Sequence, residues 1–253
     1  MIKTVIAFDL DDTLAVTKSP ISDRMGGLLV RLLNHYDLAV ISGGDFSQFK
    51  KQVVDRLEAT PQQLTRLHLL PTNGTKYYRY EPIAKEWQIQ YANNLTAAAK
   101  NQITEVLETS AKKLNLWPSK PYGEVIEDRG SQITYSALGQ KAPADEKYAW
   151  AKKNLKNKEE LCRIVADRLP DLEVRLGGTT SIDVTHIGID KAYGLRQLID
   201  AIDISKDNIL FLGDKLESDG NDYPVKEYGI DTIAVEKWED TAFVLEGILG
   251  VTQ

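Results

Sequence analysis

Two carboxylates stand one residue apart at the end of a short apolar run: TVIAFDLDDTLA carries Asp9 and Asp11, followed by Thr13. Side chains alternate in direction along a strand. Beyond the strand's end both carboxylates can turn toward one cleft, where their repulsion is tolerable only with a cation or proton between them. Magnesium and an aspartate nucleophile satisfy that condition. A solvated turn rich in Asp accounts for the pair alone equally well, because so short a motif recurs by chance.

Three further segments carry complementary chemistry. VISGGD places Ser42, Gly43 and Gly44 after a second apolar run, so a hydroxyl and unencumbered backbone N–H groups can hold phosphate oxygens. Lys191 opens a helical pattern in GIDKAYGL, where a cation can neutralise the same phosphate. NILFLGDKLESDGND closes a third apolar run with Asp214, then supplies Asp219, Asn221 and Asp222 on a glycine-containing loop.

The elements that position these residues alternate at both ends of the chain. Residues 2–9, 37–42 and 208–213 read as buried strands, and 22–35, 46–58 and 191–202 as helices, a pattern that predicts an α/β fold with a Rossmann-like parallel sheet. The reactive groups then fall at the carboxyl ends of strands, where open α/β sheets bind ligands. The middle of the chain differs. LLPTNGTKYYRY reads as hairpin-like, followed by a helix from about 93 to 115, strands in GEVIEDRG and SQITYSAL, a helix near 157–169, and a strand pair in LEVRLGG and TSIDVTH. This predicts an inserted α+β cap at 83–187 and a discontinuous core of 1–82 with 188–253.

Composition sets the outer bounds. The chain has 253 residues, 42% hydrophobic content and a formal net charge of −6. It is large enough for two domains, and the absence of a basic tract argues against nucleic acid. No apolar run approaches a membrane span and no signal-like segment precedes the first strand, so a cytoplasmic protein without a membrane partner is expected. The one cysteine, Cys162, lies on an amphipathic pattern and reads as a core side chain.

In their order along the chain, the four segments resemble the four motifs of the haloacid dehalogenase superfamily. The resemblance implies that Asp9 is the nucleophile that becomes an aspartyl phosphate and Asp11 the general acid and base. It further implies that Ser42, Gly43 and Lys191 grip the phosphoryl group. Asp9, the backbone carbonyl of Asp11 and Asp214 would hold Mg²⁺, with Asn221 and Asp222 either supporting those ligands from behind or forming part of a further metal-binding loop. A carboxylate attacking a phosphate dianion needs such cations to offset the repulsion.

Within the superfamily the chain is similar to the eukaryotic-type phosphomannomutases. PTNG at 71–74, EDRG at 127–130, SIDV at 181–184 and the GDK followed by GND near Asp214 carry that similarity. It implies a phosphorylated sugar as the small-molecule substrate, with Lys18, Arg129, Gln140, Ser181 and Asp183 as candidate contacts, and a homodimer is compatible with it. Gln140 stands where the mutases have an arginine, and a neutral amide loses both charge and the bidentate fork. A sugar-phosphate phosphatase is therefore expected ahead of a phosphomannomutase-type isomerase. A non-enzymatic phospho-accepting receiver module shares Asp, Mg²⁺ and Lys, but needs no inserted substrate chamber.

Overall fold

A computed structural model describes residues 2–252. In chain order the elements are β1 (Val5–Phe8), α1 (Asp23–Leu32), β2 (Asp37–Ile41), α2 (Phe46–Gln52), α3 (Pro61–Leu64), β3 (Leu67–Leu70), the one-turn α4 (Pro71–Gly74), β4 (Lys76–Glu81) and β5 (Glu86–Ala92). There follow α5 (Ala97–Lys113), β6 (Ile126–Asp128), β7 (Ile133–Ser136), α6 (Ala144–Arg168), β8 (Leu172–Leu176) and β9 (Ser181–His186). The chain closes with α7 (Lys191–Ile202), β10 (Ile209–Gly213), α8 (Tyr223–Glu227), β11 (Asp231–Ala234) and α9 (Trp238–Val251). Two compact units result: a core that runs to Ala92 and resumes at Asp190, and an inserted unit, Asn93–Ile189.

The core sheet has the order β11-β10-β1-β2-β3-β4-β5. Its first five strands are parallel, and β4 and β5 are antiparallel additions. Strands such as VIAF and LHLL are buried throughout because parallel sheets are covered on both faces. Ile6 and Phe8 enter one hydrophobic cluster with Met25, Leu29 and Leu245, whereas Val5 and Ala7 enter another with Leu195, Leu198 and Phe211. The alternation within β1 thus supplies both layers.

Residues 83–92, expected in the insert, belong instead to the core sheet. β5 pairs with β4 from Lys76↔Ala92 to Glu81↔Glu86, and its alternating EWQIQYA suits an edge strand with one solvated face. The helix expected at 157–169 starts thirteen residues earlier, at Ala144. Its first half is polar and largely exposed, so no apolar stripe marks it in the sequence. The helix expected over 46–58 stops at Gln52 and continues only as a short 3₁₀ turn at Val54–Arg56.

The inserted unit is a four-stranded antiparallel sheet, β6-β7-β9-β8. Ile133, Tyr135, Ile182 and Val184 share one face and cluster with Ile103 and Leu107 of α5 and with Leu161 and Val165 of α6. Cys162 packs at the margin of this cluster, and burial pushes its thiol up to about 11. The opposite face is polar, with Glu127, Thr134 and Asp183 in cross-strand register.

One backbone crossing governs where α7 lies. Gly74 has φ +79° and packs against Gly194, where an added Cβ would run into Ile41 and stand 2.9 Å from the Asn73 carbonyl. Only glycine allows that approach. Gly194→Ala is therefore expected to destabilise the fold by about 1–3 kcal/mol through overpacking. Exposed Gly27 on α1 has no atom within 4 Å of the corresponding position. Gly27→Ala should be neutral or stabilising by up to about 1 kcal/mol. Urea midpoints of the two variants check the contrast, and equal midpoints would contradict it.

Candidate active site

Asp9 follows β1, Ser42 follows β2 and Asp214 follows β10, so three neighbouring parallel strands deliver them to one edge of the sheet. Lys191 arrives from the first turn of α7, whose N-cap Asp190 accepts the Tyr193 N–H at 2.7 Å and fixes the helix start. The ammonium is buried and lies 2.6 Å from Asp9 Oδ1 and 2.5 Å from Asp222 Oδ1. Burial opposes its charge, yet Asp222 and Asp9 together raise it above the ordinary lysine range.

Ligand-capable oxygens of Asp9, Asp214 and Asp222 lie within 4.8 Å of one another. Asp222 is already committed: its other oxygen accepts the Lys215 backbone N–H at 3.0 Å. The loop folds back this far because Gly213 lacks a Cβ, which would stand 2.5 Å from Asp222 Oδ2. Asp214 is different. Its Oδ2 meets Lys215 Nζ at 2.8 Å, but its Oδ1 is buried and accepts no hydrogen bond. Burial and the neighbouring Asp9 push Asp214 up to about 7. An orphaned carboxylate oxygen beside a second carboxylate fits a hard divalent cation, which takes oxygen ligands.

Asp11 turns toward the loop after β1 and toward α2. Its Oδ1 accepts the Lys18 N–H at 2.7 Å and Gln52 Nε2 at 3.2 Å, and its Oδ2 accepts Gln48 Nε2 at 3.3 Å. Burial raises its pKa, against the lowering effect of the Lys18 N–H bond. The loop itself is bent through left-handed Asp12 and Lys18, at φ 66° and 55°. Asp12 closes it by accepting the Thr17 N–H and hydroxyl at 3.1 and 3.0 Å.

The Ser42–Gly44 loop is latched to α4: Asn73 N–H donates to the Ser42 carbonyl at 3.0 Å and Thr72 N–H to the Gly44 carbonyl at 2.8 Å. Thr72 and Asn73 both adopt left-handed conformations. For β-branched Thr72 that is an uncommon and strained state. It is held by hydroxyl bonds to the Pro71 carbonyl and to Thr75.

The core therefore gathers Asp9, Asp11, Ser42, Gly43, Lys191, Asp214 and Asp222 at one sheet edge. Asn221 is exposed and stands outside the carboxylate cluster. In the inserted unit, buried Arg129 forms an ion pair with Glu127 at 2.6 Å, and Asp183 accepts the Thr134 hydroxyl at 2.7 Å. Ser181 is buried two residues from Asp183 on the same face of β9. Gln140 is half-buried, and its backbone carbonyl accepts buried Lys147 Nζ at 3.3 Å, whereas Lys141 is exposed.

Sequence reading missed Gln48, Gln52, Lys147 and Thr134. The i, i+4 spacing of the two glutamines was available as a signal. The TYS alternation in β7 likewise marked a polar face. Nothing in the sequence singles out Lys147 among the lysines of α6.

Comparison with known proteins identifies the family. The family described as Eukaryotic phosphomannomutase matches residues 25–250. The phosphomannomutase of Encephalitozoon cuniculi (strain GB-M1) is 27% identical over 244 residues, which span 94% of this chain and 91% of that protein. A haloacid dehalogenase-like hydrolase from Bacteroides thetaiotaomicron superposes with a TM-score of 0.61 at 18% identity, covering 97% of this chain and 99% of that one. An N-terminally truncated IMP-nucleotidase of Plasmodium falciparum gives 0.72 at 14% identity, over 99% of this chain and 71% of that one. These two likenesses bear on the fold, and the family match reaches from α1 to α9. The chain belongs to the eukaryotic phosphomannomutase family.

Proposed function

We propose that this enzyme is a Mg²⁺-dependent sugar-phosphate phosphatase that works through an aspartyl phosphate on Asp9. The observation that carries the reading is the buried Asp9–Lys191–Asp222 bridge beside the orphaned oxygen of Asp214. In this reading Asp9, Asp214 and the backbone carbonyl of Asp11 hold the metal, which when bound offsets charge on the carboxylates and on the phosphoryl group. Lys191 and the Ser42–Gly43 loop bind phosphoryl oxygens. Asp222 keeps Lys191 in place and pins the loop after β10.

In this reading the inserted unit selects the sugar through Arg129, Ser181 and Asp183 on its polar sheet face, and in the core Lys18, on the loop after Asp9, is a further candidate contact. Hydrolysis ranks ahead of isomerisation because Gln140 carries no charge with which to hold a second phosphate. A mutase is the second reading. It is favoured by Lys147, which brings a buried cation to the Gln140 backbone carbonyl, and by relatives such as the phosphomannomutase of Encephalitozoon cuniculi.

Asp9→Asn is expected to abolish turnover of hexose phosphates, because an amide cannot form the acyl phosphate, in a protein that still folds because Lys191 keeps its Asp222 partner. Retention of most activity would remove Asp9 from its role. Magnesium should raise the melting temperature of the wild-type protein in the absence of substrate, as ligands that bind only the native state do. Asp214→Asn should largely lose that stabilisation, and an undiminished shift would place the metal elsewhere. Incubated with hexose 1- and 6-phosphates and a hexose bisphosphate, the wild type should release phosphate with little isomer formation. Gln140→Arg should raise the ratio of isomer to phosphate, and efficient wild-type interconversion without phosphate release would favour the mutase.

A further inference from the structure

We propose that Gln48 and Gln52 of α2 are positioning residues for Asp11: they orient its carboxyl so that Oδ1 is anchored by two N–H groups, while Oδ2, held only by the longer Gln48 bond, carries the transferred proton. The proposal rests on the reading of Asp9 as nucleophile and Asp11 as acid and base.

The argument begins with the spacing. Residues four apart on a helix share one face, and Gln48 and Gln52 both aim their amides at Asp11. The bonds are unequal. Oδ1 accepts two N–H groups, from Lys18 at 2.7 Å and Gln52 at 3.2 Å, whereas Oδ2 accepts only the longer bond from Gln48 at 3.3 Å. An oxygen that accepts two hydrogen bonds is poorly placed to bear a proton, so the proton falls to Oδ2.

Gln52 is itself immobilised. It is 2% exposed, and its Nε2 also donates to the Ser19 carbonyl at 2.7 Å. Both amide hydrogens are thereby used, and its Oε1 is left buried without a hydrogen bond. An unsatisfied buried acceptor costs about 1–3 kcal/mol. A methionine of similar shape would avoid that cost, so the amide at this position is explained by what its N–H groups hold. They tie Asp11 to the 18–19 loop segment.

The step that depends on this orientation is balanced as follows. An Asp9 oxygen forms a bond to phosphorus as the P–O bond to the sugar breaks, and the departing sugar oxygen takes the proton from Asp11 Oδ2. Water then attacks the phosphoaspartate, its proton passes to Asp11, and inorganic phosphate and the restored Asp9 carboxylate result. Proton donation matters most when the leaving oxygen is strongly basic, as in a sugar. It matters little for p-nitrophenolate, which departs unaided.

The test compares kcat/KM for a hexose phosphate and for p-nitrophenyl phosphate in the wild type, Gln48→Met, Gln52→Met and Asp11→Asn. This ratio reports the steps up to phosphoryl transfer, with Mg²⁺-induced thermal stabilisation as the control for an intact site. Gln52→Met should lose about tenfold or more on the hexose phosphate and no more than about threefold on the aryl ester, within the range that general acid catalysis supplies. Gln48→Met should show the same selectivity to a smaller extent, and it does not touch the Ser19 bond. Equal losses on both substrates, or none on either, in both glutamine variants would overturn the proposal while a selective Asp11→Asn leaves the acid–base reading standing. If Asp11→Asn is itself unselective, the acid–base reading fails and takes the proposal with it.

Discussion

The structure turns on the burial of one ammonium between two carboxylates. Lys191 is 1% exposed and contacts Asp9 and Asp222 within 2.6 Å. Three carboxylates brought together at the edge of a parallel sheet would repel one another, and the lysine offsets that repulsion. Removing one member of such a buried pair costs about 3–5 kcal/mol, because the remaining charge is left without compensation. Much of the surrounding architecture delivers this one contact: the Asp190 cap that starts α7, the Gly74–Gly194 crossing that seats it, and Gly213, which admits Asp222.

The same balance prepares the site for chemistry. Lys191 occupies only one oxygen of Asp9, and Asp214 presents a buried oxygen with no protein donor. Asp9, Asp214 and Asp222 there form an acidic cluster with oxygens spaced as cation ligands are. Asp11 lies outside this cluster and is bound instead by neutral N–H groups. Two aspartates a single residue apart thereby acquire different surroundings, one cationic and one amide-lined.

The inserted unit follows a separate logic. Its sheet alternates strictly, with one face of apolar residues under α5 and α6 and the other of hydroxyls, carboxylates and guanidinium groups. Polar groups on that second face are bonded mainly to one another: Arg129 to Glu127, Gln132 to Thr134 and Thr134 to Asp183. Hydrogen bonds of this kind keep their members in fixed orientations.

Local pattern was enough to reveal the strands that carry Asp9, Ser42 and Asp214, because a parallel strand covered on both faces must be a short apolar run and its end is marked by glycine or aspartate. The four reactive segments and the existence of an insertion were legible for the same reason. The bounds of that insertion were not. Strand β5 has a weak half-exposed alternation whose membership in the core depends on pairing with β4, and the polar first half of α6 has no stripe to betray it. Nor could spacing separate Asn221 from Asp222, which are adjacent in sequence but respectively exposed and buried under Lys191. The amide donors of Gln48 and Gln52 meet Asp11 across about forty residues of chain. Contacts of that kind depend on how the helix packs beside the strand's end, and only the tertiary structure decides them.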